Sequence, residues 1–417
     1  MKKVMLKTTL SLAVTFASSQ LFAAGFALNE QSISGMGTGF AGRSSSAEDA
    51  STVYGNPAGM SRIKREQVSF GAAAIIAKTD LKQTGGNSTG TNDGDMVPFV
   101  GVPMGYYVKP IDDHWAFGFG MYAPFGLVTD YESGFAGRFS SDKSHVQVVT
   151  LQPTVSYAFN DRVSIGFGPT INHIKGELTS SLTGAGPFPE GRVKIKGDDT
   201  AVGFNAGLLV QATDSTRVGL TYHSKVKYKL EGDTRVNFPL GAALGTGTGG
   251  KFDASLSIDT PEIVDLSVTH ELNDDWTLYA GSTFTRWSRL KSIIVENEGG
   301  GAFANIAEEQ NWHDTWAHAI GAAYKLNKQW TLRTGLSVDQ SPTNNTDRST
   351  RIPTGDRVAI SFGAGWSPTD DITIDVAYSY LKEEEVSVNR TNTGNRTYQA
   401  NYKNSAHGIG SSLTYRF

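Results

Sequence analysis

The sequence contains no cysteine, few charged residues and no long apolar run after its N-terminus. The absence of cysteine excludes a disulfide framework and thiolate metal sites. Charged residues make up 19% of the chain and the formal net charge is −4, which gives no electrostatic basis for binding nucleic acid. Without a long apolar run, no membrane-spanning helix is expected in the exported chain. The 417 residues suffice for two ordinary domains or one large barrel.

The N-terminus has the pattern of a secretory signal peptide. Basic residues at Lys2, Lys3 and Lys7 precede a short apolar stretch, and small residues follow it up to Ala23. The alternative, an anchored transmembrane helix, needs a longer run than this one, which serine and glutamine interrupt. We therefore expect residues 1–23 to be removed from an exported protein.

Short turns and long connections alternate through the rest of the chain. Clusters of Asp, Asn and Pro that favour tight reversals occur at 110–115, 159–162, 213–216, 272–276, 326–330 and 367–371. Longer, looser segments lie near 82–95, 129–143, 179–191, 232–251, 296–308, 341–350 and 383–397. After the short turns every second residue is apolar or aromatic, which is typical of strands with one apolar face. Thirteen connections predict fourteen strands.

An even number of strands with short turns at one end and long loops at the other is typical of bacterial outer-membrane barrels. Four tryptophans stand beside short turns, where an aromatic girdle would lie: Trp115, Trp276, Trp330 and Trp366. The alternative, a secreted β-sandwich, turns its apolar face inward and rarely has such long strands. We predict an all-β fold, a 14-stranded antiparallel transmembrane β-barrel over residues 66–417, in the bacterial outer membrane with periplasmic termini.

Residues 24–65 precede the first alternating strand and contain G-x-G-x-x-G at Gly37, Gly39 and Gly42. A dinucleotide site needs a strand before these glycines and a helix opening from them. Too few residues lie between the cleavage site and Gly37 for that strand. We expect instead a compact hatch inside the barrel, in which Gly35 and Gly37 allow close backbone packing.

Within the hatch, the segment SSAEDA has a serine cap followed by acidic residues. This pattern predicts a short helix at about 47–52. The next motif, Asn56, Pro57 and Ala58, cannot continue that helix because proline lacks an amide donor.

Several segments resemble the FadL family of outer-membrane transporters for long-chain fatty acids and other hydrophobic compounds. They are GFALNEQSISGMGTGFAG, EDASTVYGNPAG, the PFG of 124–126, Pro261-Glu262, TLRTGLSVDQSP and R-x-x-x-I-P-x-x-D-R at 348–357. The resemblance implies a fourteen-stranded barrel closed by an N-terminal hatch. It also implies ligand capture by the outer loops, an internal pocket, a hatch movement and sideways exit at a kinked third strand.

The third strand contains Pro124, Phe125 and Gly126. Proline interrupts the hydrogen-bond ladder and glycine permits a bend. We expect this kink to form the lateral opening that the resemblance implies. The alternative is a strand that ends at its loop.

Two loop segments are apolar where exposed loops are usually polar. One contains Phe188, and the other runs through Phe238 and Leu240. Because exposed apolar patches usually mark binding, we predict an entry groove for hydrophobic ligands. The alternative, that the loops pack on each other over the barrel mouth, does not exclude it.

The family's pocket uses basic strand residues to hold a carboxylate. The positions that match by motif are Lys175 and His313, the second departing from the usual lysine. Pro169 makes the register at Lys175 uncertain, whereas His313 shares parity with small residues and is expected to face inward. Arg357 is a further candidate partner, although lumen arginines often only pair with acids.

We predict a monomeric, passive importer of long-chain fatty acids without a cofactor, in contact with outer-membrane lipid and lipopolysaccharide. An importer of small aromatic hydrocarbons in the same fold is the alternative, and a general porin is a weaker one. An enzyme is not expected, since His313 and His318 would face opposite sides of a strand and cannot share a metal. A lipid-acting or peptide-cleaving outer-membrane enzyme stays open, because barrel sites assemble from separate strands.

Overall fold

The computed structural model describes residues 25–392 and 395–417, and its strands form one closed antiparallel barrel. The expected signal peptide, residues 1–23, lies outside the described residues. The strands are β1 Gln67–Gly85, β2 Val100–Pro110, β3 Trp115–Asp130, β4 Lys143–Ala158, β5 Val163–Leu182, β6 Gly191–Gln211, β7 Thr216–His223 with Val226–Asn237, β8 Gly249–Thr260 with Ile263–Glu271, β9 Trp276–Thr285 with Ser292–Asn297, β10 Asn305–Glu309 with Thr315–Lys325, β11 Trp330–Asp339, β12 Arg357–Trp366, β13 Ile372–Glu383 with Val386–Asn392, and β14 Arg396–Arg416.

The predicted fourteen strands are confirmed. Five of them, β7 to β10 and β13, are broken into two segments that continue the same crossing of the barrel wall. The barrel closes where β1 pairs antiparallel with β14, from Gln67 opposite Arg416 onward. The first strand begins where its alternation begins in the sequence, because burial on one face sets both.

The outer face of the barrel is apolar and the inner face is small or polar. Large outward side chains such as Phe117, Ile165 and Leu266 are exposed, as lipid-facing residues of a barrel are. The four tryptophans beside the short turns lie on this surface with about two fifths to one half of their area exposed. Among the described residues, no helix is long and apolar enough to cross a membrane.

The hatch, residues 25–65, contains three short helical segments: α1 Ile33–Gly37, α2 Thr52–Gly55 and a 3-10 helix Pro57–Arg62. The helix expected at about 47–52 is therefore wrong in position. Ala47 has a positive φ of 50°, and the Asp49 carboxylate accepts a hydrogen bond from the amide of Ser51 at 2.8 Å. These two features make a turn, so the helix starts only at Thr52.

Asn56 ends α2 and starts the 3-10 helix. Its backbone is extended, and its side-chain oxygen accepts a hydrogen bond from the amide of Ala58 at 3.0 Å. Pro57 follows as the first helical residue, a position where its missing amide costs nothing. Asparagine and proline therefore change the chain direction between two helical turns.

Glycines on the inner face of the barrel wall leave space for the hatch. At nine of them a Cβ would lie closer than 3.0 Å to a hatch atom: Gly118, Gly166, Gly207, Gly219, Gly281, Gly321, Gly335, Gly363 and Gly410. On the hatch side, Gly37 faces Gly363 of β12, where an added Cβ would come within 2.8 Å of the Gly37 Cα. The small residues that alternate along the strands thus let the two backbones touch.

Candidate transport pathway

The barrel wall has an open seam between β2 and β3. The two strands pair only from Gly105 opposite Met121 to Pro110 opposite Ala116. Above this point β2 and β3 do not pair with each other: residues 100–104 pair with β1, and residues 122–130 pair with β4. The β3–β4 register shifts between Tyr122 and Phe125, so that β3 bends at Pro124. We call residues 100–104 and 122–130 the seam.

The first described residues of the hatch occupy the free edge of β3 at this bend. The Leu28 amide donates to the Pro124 carbonyl at 2.8 Å, and the Gly126 amide donates to the Phe26 carbonyl at 2.9 Å. Ala27 is consequently paired antiparallel with Phe125. Residues 26–28, which we call the gate strand, take the place that β2 leaves empty.

The gate strand is held by aromatic packing as well. Phe26 is buried, and its ring centroid lies 5.0 Å from Trp287, 5.6 Å from Phe125 and 6.0 Å from Trp312. Gly25 precedes it with a φ of +67°, and a Cβ there would come within 2.6 Å of the Trp312 ring. Only glycine fits between these rings at that backbone angle.

An apolar cavity lies beside the gate strand. We call it the upper cavity, and Phe26 forms part of its wall. Its remaining wall is mostly aliphatic and includes Leu127, Val146, Ile174, Leu230, Leu256 and Ile352. This lining is that of a site for a hydrophobic ligand.

Arg351 lines the upper cavity, but its guanidinium is already occupied. Nε donates to Glu308 at 2.8 Å, Nη1 to the Ser144 hydroxyl at 3.1 Å and Nη2 to the Ser140 carbonyl at 3.2 Å. Lys196 also borders the cavity, and its ammonium lies 2.9 Å from Glu177. The upper cavity is therefore suited to an alkyl chain rather than to a charged headgroup.

A second cavity lies between the hatch and strands β8 to β13. We call it the lower cavity; it is bordered by residues 27–29 of the hatch and by Trp287. Its charged lining residues are Arg43, Asp265, Asp339 and Arg357. Phe26 borders the upper cavity and Trp287 the lower one, so their ring contact separates the two.

The rest of the hatch is fixed to the wall by polar contacts. Asn56 donates from Nδ2 to the Leu208 carbonyl of β6 at 3.0 Å. Arg333 of β11 donates to Glu48 of the hatch at 2.9 Å and to Asp375 of β13 at 2.7 Å. These polar contacts and the glycine packing hold most of the hatch against the barrel wall. The gate strand, by contrast, is joined to β3 by two backbone hydrogen bonds.

Glu30 follows the gate strand and is buried together with it. Burial raises the pKa of its carboxyl from 4.5 to about 7, although the Arg43 and Arg357 guanidinium groups act to lower that pKa. The segment next to the gate strand thus carries a group that titrates near neutral pH.

The structure does not bring the two motif-matched basic residues into either cavity. The β4–β5 register runs unbroken past Pro169, so Lys175 shares the outer face with Ile165 and Phe167. His313 is exposed in the break between the two segments of β10, and the strand alternation does not extend across that break. The inward orientation of His313 therefore stays a prediction, and neither Lys175 nor His313 lines the upper or the lower cavity.

The apolar loop residues are partly buried against one another. Phe238 is only 9% exposed, packs with Leu182 and Val193, and meets the Phe303 ring at 5.9 Å. Leu240 lies at the margin of this cluster, and Phe188 is half-buried in the β5–β6 loop. The loops therefore do pack on each other, and they leave an apolar margin at the barrel mouth.

Sequence reasoning missed the aromatic partners of the gate. Trp287 and Trp312 are distant in sequence from Phe26 and stand away from every short turn, unlike the four girdle tryptophans. Their distance from the short turns is the feature of the sequence that could have set them apart from the girdle. Which residue they contact depends on the closing of the barrel, because closure brings β9 and β10 against the hatch.

A closed barrel with an apolar outer belt, a hatch-filled lumen, an apolar cavity and a seam in its wall defines a transport protein of the bacterial outer membrane.

The chain belongs to the outer membrane protein transport protein family (OMPP1/FadL/TodX), whose model matches residues 14–417. It is 29% identical over 448 residues to the long-chain fatty acid transport protein of Escherichia coli O6:H1, covering 100% of this chain and 99% of the relative. It is 30% identical over 464 residues to outer membrane protein P1 of Haemophilus influenzae, covering 99% of each.

Solved structures agree with the fold. A Pseudomonas aeruginosa FadL homologue superposes with a TM-score of 0.84 at 28% identity, covering 94% of this chain and 100% of that one. The Pseudomonas putida toluene transporter TodX superposes with a TM-score of 0.70 at 20% identity, covering 88% and 94%. The first likeness includes sequence, and the second concerns the fold alone.

Proposed function

We propose that this protein imports long-chain fatty acids passively across the outer membrane, as a monomer surrounded by lipid and lipopolysaccharide. The observation that carries the proposal is the apolar lining of the upper cavity, whose wall toward the seam is Phe26 of the gate strand. The names of the relatives in Escherichia coli support the substrate class.

Capture begins at the barrel mouth. Phe188, Phe238 and Leu240 form an apolar margin above the upper cavity, and burial of an alkyl chain there removes apolar surface from water. Leu182 and Val193 extend this surface along β5 and β6. The ligand then moves from the loops into the aliphatic cavity without passing through bulk water.

Release requires movement of the gate strand rather than of the whole hatch. Gly35 and Gly37 lie in α1, and Gly37 packs on the wall, while Asn56 to Ala58 anchor the hatch on β5 and β6. Residues 26–28 are joined to β3 by two hydrogen bonds. A ligand that displaces Phe26 breaks these contacts and leaves the anchored part in place.

The seam then gives the ligand a route into the membrane. Pro124 offers no amide to a neighbouring strand. When the gate strand leaves, the Pro124 carbonyl and the Gly126 amide lose their hydrogen-bond partners, and Phe125 loses the residue opposite it. An apolar chain gains free energy by moving sideways into hydrocarbon, whereas an aqueous exit exposes it to water. Lateral diffusion is therefore the favoured route.

Uptake of labelled oleate by cells without their own importer tests the proposal. Oleate uptake well above that of cells without the protein supports it. A matched pair of variants locates the path: Ile174→Asn, in the cavity wall, is expected to reduce uptake, while Lys175→Asn, its neighbour on the outer face, is not. Equal effects of the two variants would contradict the assigned cavity.

A second candidate cargo is a small aromatic hydrocarbon. The observation that favours it is the upper cavity itself, whose Arg351 and Lys196 are already paired with acids. Labelled toluene in the same cells separates the two cargoes. Toluene uptake without oleate uptake would favour the second candidate, and uptake of neither would contradict both.

A further inference from the structure

Arg357 differs from the other buried arginines of the lumen. It lies at the start of β12 with 2% of its side chain exposed, and it lines the lower cavity. Its Nη2 is 3.5 Å from Glu383 Oε1, and its Nε is 4.0 Å from Asp339 Oδ2. Within residues 25–392 and 395–417, none of its nitrogens donates a hydrogen bond. By contrast, Arg333 and Arg351 donate at 2.7 to 2.9 Å.

A buried guanidinium whose donors are unused is costly, because burial removes it from water without replacing the lost hydrogen bonds. Glu383 does not fill this need, since its Oε2 accepts from Asn404 at 2.9 Å and its Oε1 stays at 3.5 Å from Arg357. These donors belong to a residue that lines the lower cavity. A carboxylate fits them best, because its two oxygens match the planar fork of arginine.

The position of Arg357 relative to the gate suggests which carboxylate would bind. The upper cavity takes an alkyl chain but has no unoccupied cation among its described lining residues. The lower cavity adjoins it across the contact of Phe26 with Trp287, whose ring centroids are 5.0 Å apart. Displacement of Phe26 would join the apolar upper cavity to the lower cavity that Arg357 lines.

We infer that Arg357 is a carboxylate subsite in the lower cavity, which holds the headgroup of a fatty acid whose chain occupies the upper cavity. This inference rests on the proposed function and adds the position and chemistry of headgroup recognition. Arg43, on the hatch side of the same cavity, adds positive charge. Asp265 opposes it but already accepts hydrogen bonds from Ser44 and Thr283.

Glu383 is then an internal competitor for Arg357. Removing the charge of Glu383 frees the guanidinium and lowers the negative charge near the incoming carboxylate. Removing Arg357 abolishes the subsite. The two substitutions are therefore expected to change carboxylate binding in opposite directions. If Arg357 and Glu383 formed only a structural ion pair, their removal would not have opposite effects on carboxylate binding.

The test measures binding of labelled oleate and labelled oleyl alcohol to the full-length protein in a detergent-free amphipathic polymer. The two probes share the chain and differ in the headgroup. Arg357→Gln is expected to weaken oleate binding about tenfold or more and to leave oleyl alcohol unchanged. Glu383→Gln is expected to strengthen oleate binding, and Arg357→Lys to retain part of it. Heat-modifiable gel mobility checks that each variant is folded.

Each outcome decides between the alternatives. Weaker oleate binding in Arg357→Gln with stronger binding in Glu383→Gln supports the subsite. If Arg357→Gln binds oleate as the parent does, or if both variants weaken oleate and oleyl alcohol alike, the subsite is refuted while fatty acid import stands. If the parent protein binds neither probe, the proposed function itself fails.

Discussion

A reversible cross-link between the gate strand and β3 tests the gate directly. Ala27 and Phe125 face each other between the hydrogen bonds Leu28 to Pro124 and Gly126 to Phe26, the arrangement of a non-hydrogen-bonded antiparallel pair. Such pairs have Cα atoms about 4.5 Å apart, within the range that a disulfide spans. The chain has no cysteine of its own, so Ala27→Cys with Phe125→Cys forms one defined bridge.

The contacts of the gate strand set the size of the expected effect. Burial of Phe26 contributes about 1.5 to 3 kcal/mol, and each of the two backbone hydrogen bonds contributes about 0.5 to 1.5 kcal/mol. Opening therefore costs about 2.5 to 6 kcal/mol. Without cargo, roughly one molecule in a hundred to one in ten thousand is open. A ligand can supply this free energy, but it cannot break a disulfide.

Oleate uptake by cells that carry the double variant is measured under oxidising conditions and again after reduction. We expect uptake at the level of cells without the protein when the bridge is formed, and recovery on reduction. Each single cysteine variant serves as a control for the loss of Phe125 packing. Full oleate uptake by a sample in which mass spectrometry finds the bridge complete would refute the gate.

Three further predictions concern the hatch and the basic residues. Gly335→Ala forces a Cβ into the hatch backbone and is expected to destabilise the protein by about 1 to 3 kcal/mol, seen as a lower Tm, whereas Gly105→Ala, with no atom within 4 Å of its Cβ, is not. Because burial raises the pKa of Glu30 from 4.5 to about 7, the folded state retains a proton that the unfolded chain loses. The contribution of Glu30 to stability is therefore greatest below pH 4.5 and falls by on the order of 3 kcal/mol as the pH rises through about 7. Unfolding at about pH 5 and about pH 8 measures this difference, which Glu30→Gln abolishes. Replacing Lys175 and His313 by alanine is expected to leave the preference for oleate over oleyl alcohol unchanged in the binding assay. Loss of that preference would show that Lys175 or His313, rather than Arg357, binds the headgroup.

The architecture could be predicted because its signals are local. Period-two alternation follows from one face in lipid and one in the lumen, and Asp, Asn and Pro clusters mark the short turns within a few residues. The count of fourteen survives the breaks in five strands, since each break lies within one crossing of the wall. The hatch helix at 47–52 was misplaced because a cap-like pattern competes with side-chain turns, here at Asp49.

The basic residues of the site could not be predicted with the same success. Alternation assigns a face only while the strand is continuous, and His313 lies in the break of β10. The face of Lys175, by contrast, could have been assigned from the sequence. Lys175 lies an even number of residues from Ile165 and Phe167, which indicates the outer face, and the β4–β5 register is the same on both sides of Pro169. Matching a family motif identifies a position in the sequence, but it does not show whether the side chain at that position faces the lumen or the outer surface.

The sequence by itself determined the export signal expected at residues 1–23, the fourteen strands, the outer apolar belt and a glycine-rich hatch. All of these depend on composition and spacing within short windows. Only the tertiary structure decided that Phe26 packs on Trp287, that Ala27 pairs with Phe125 at the seam, and that Arg357 faces a cavity beside Glu383. Those contacts join residues far apart in the chain, and they form only when barrel closure fixes the register of every strand against the hatch.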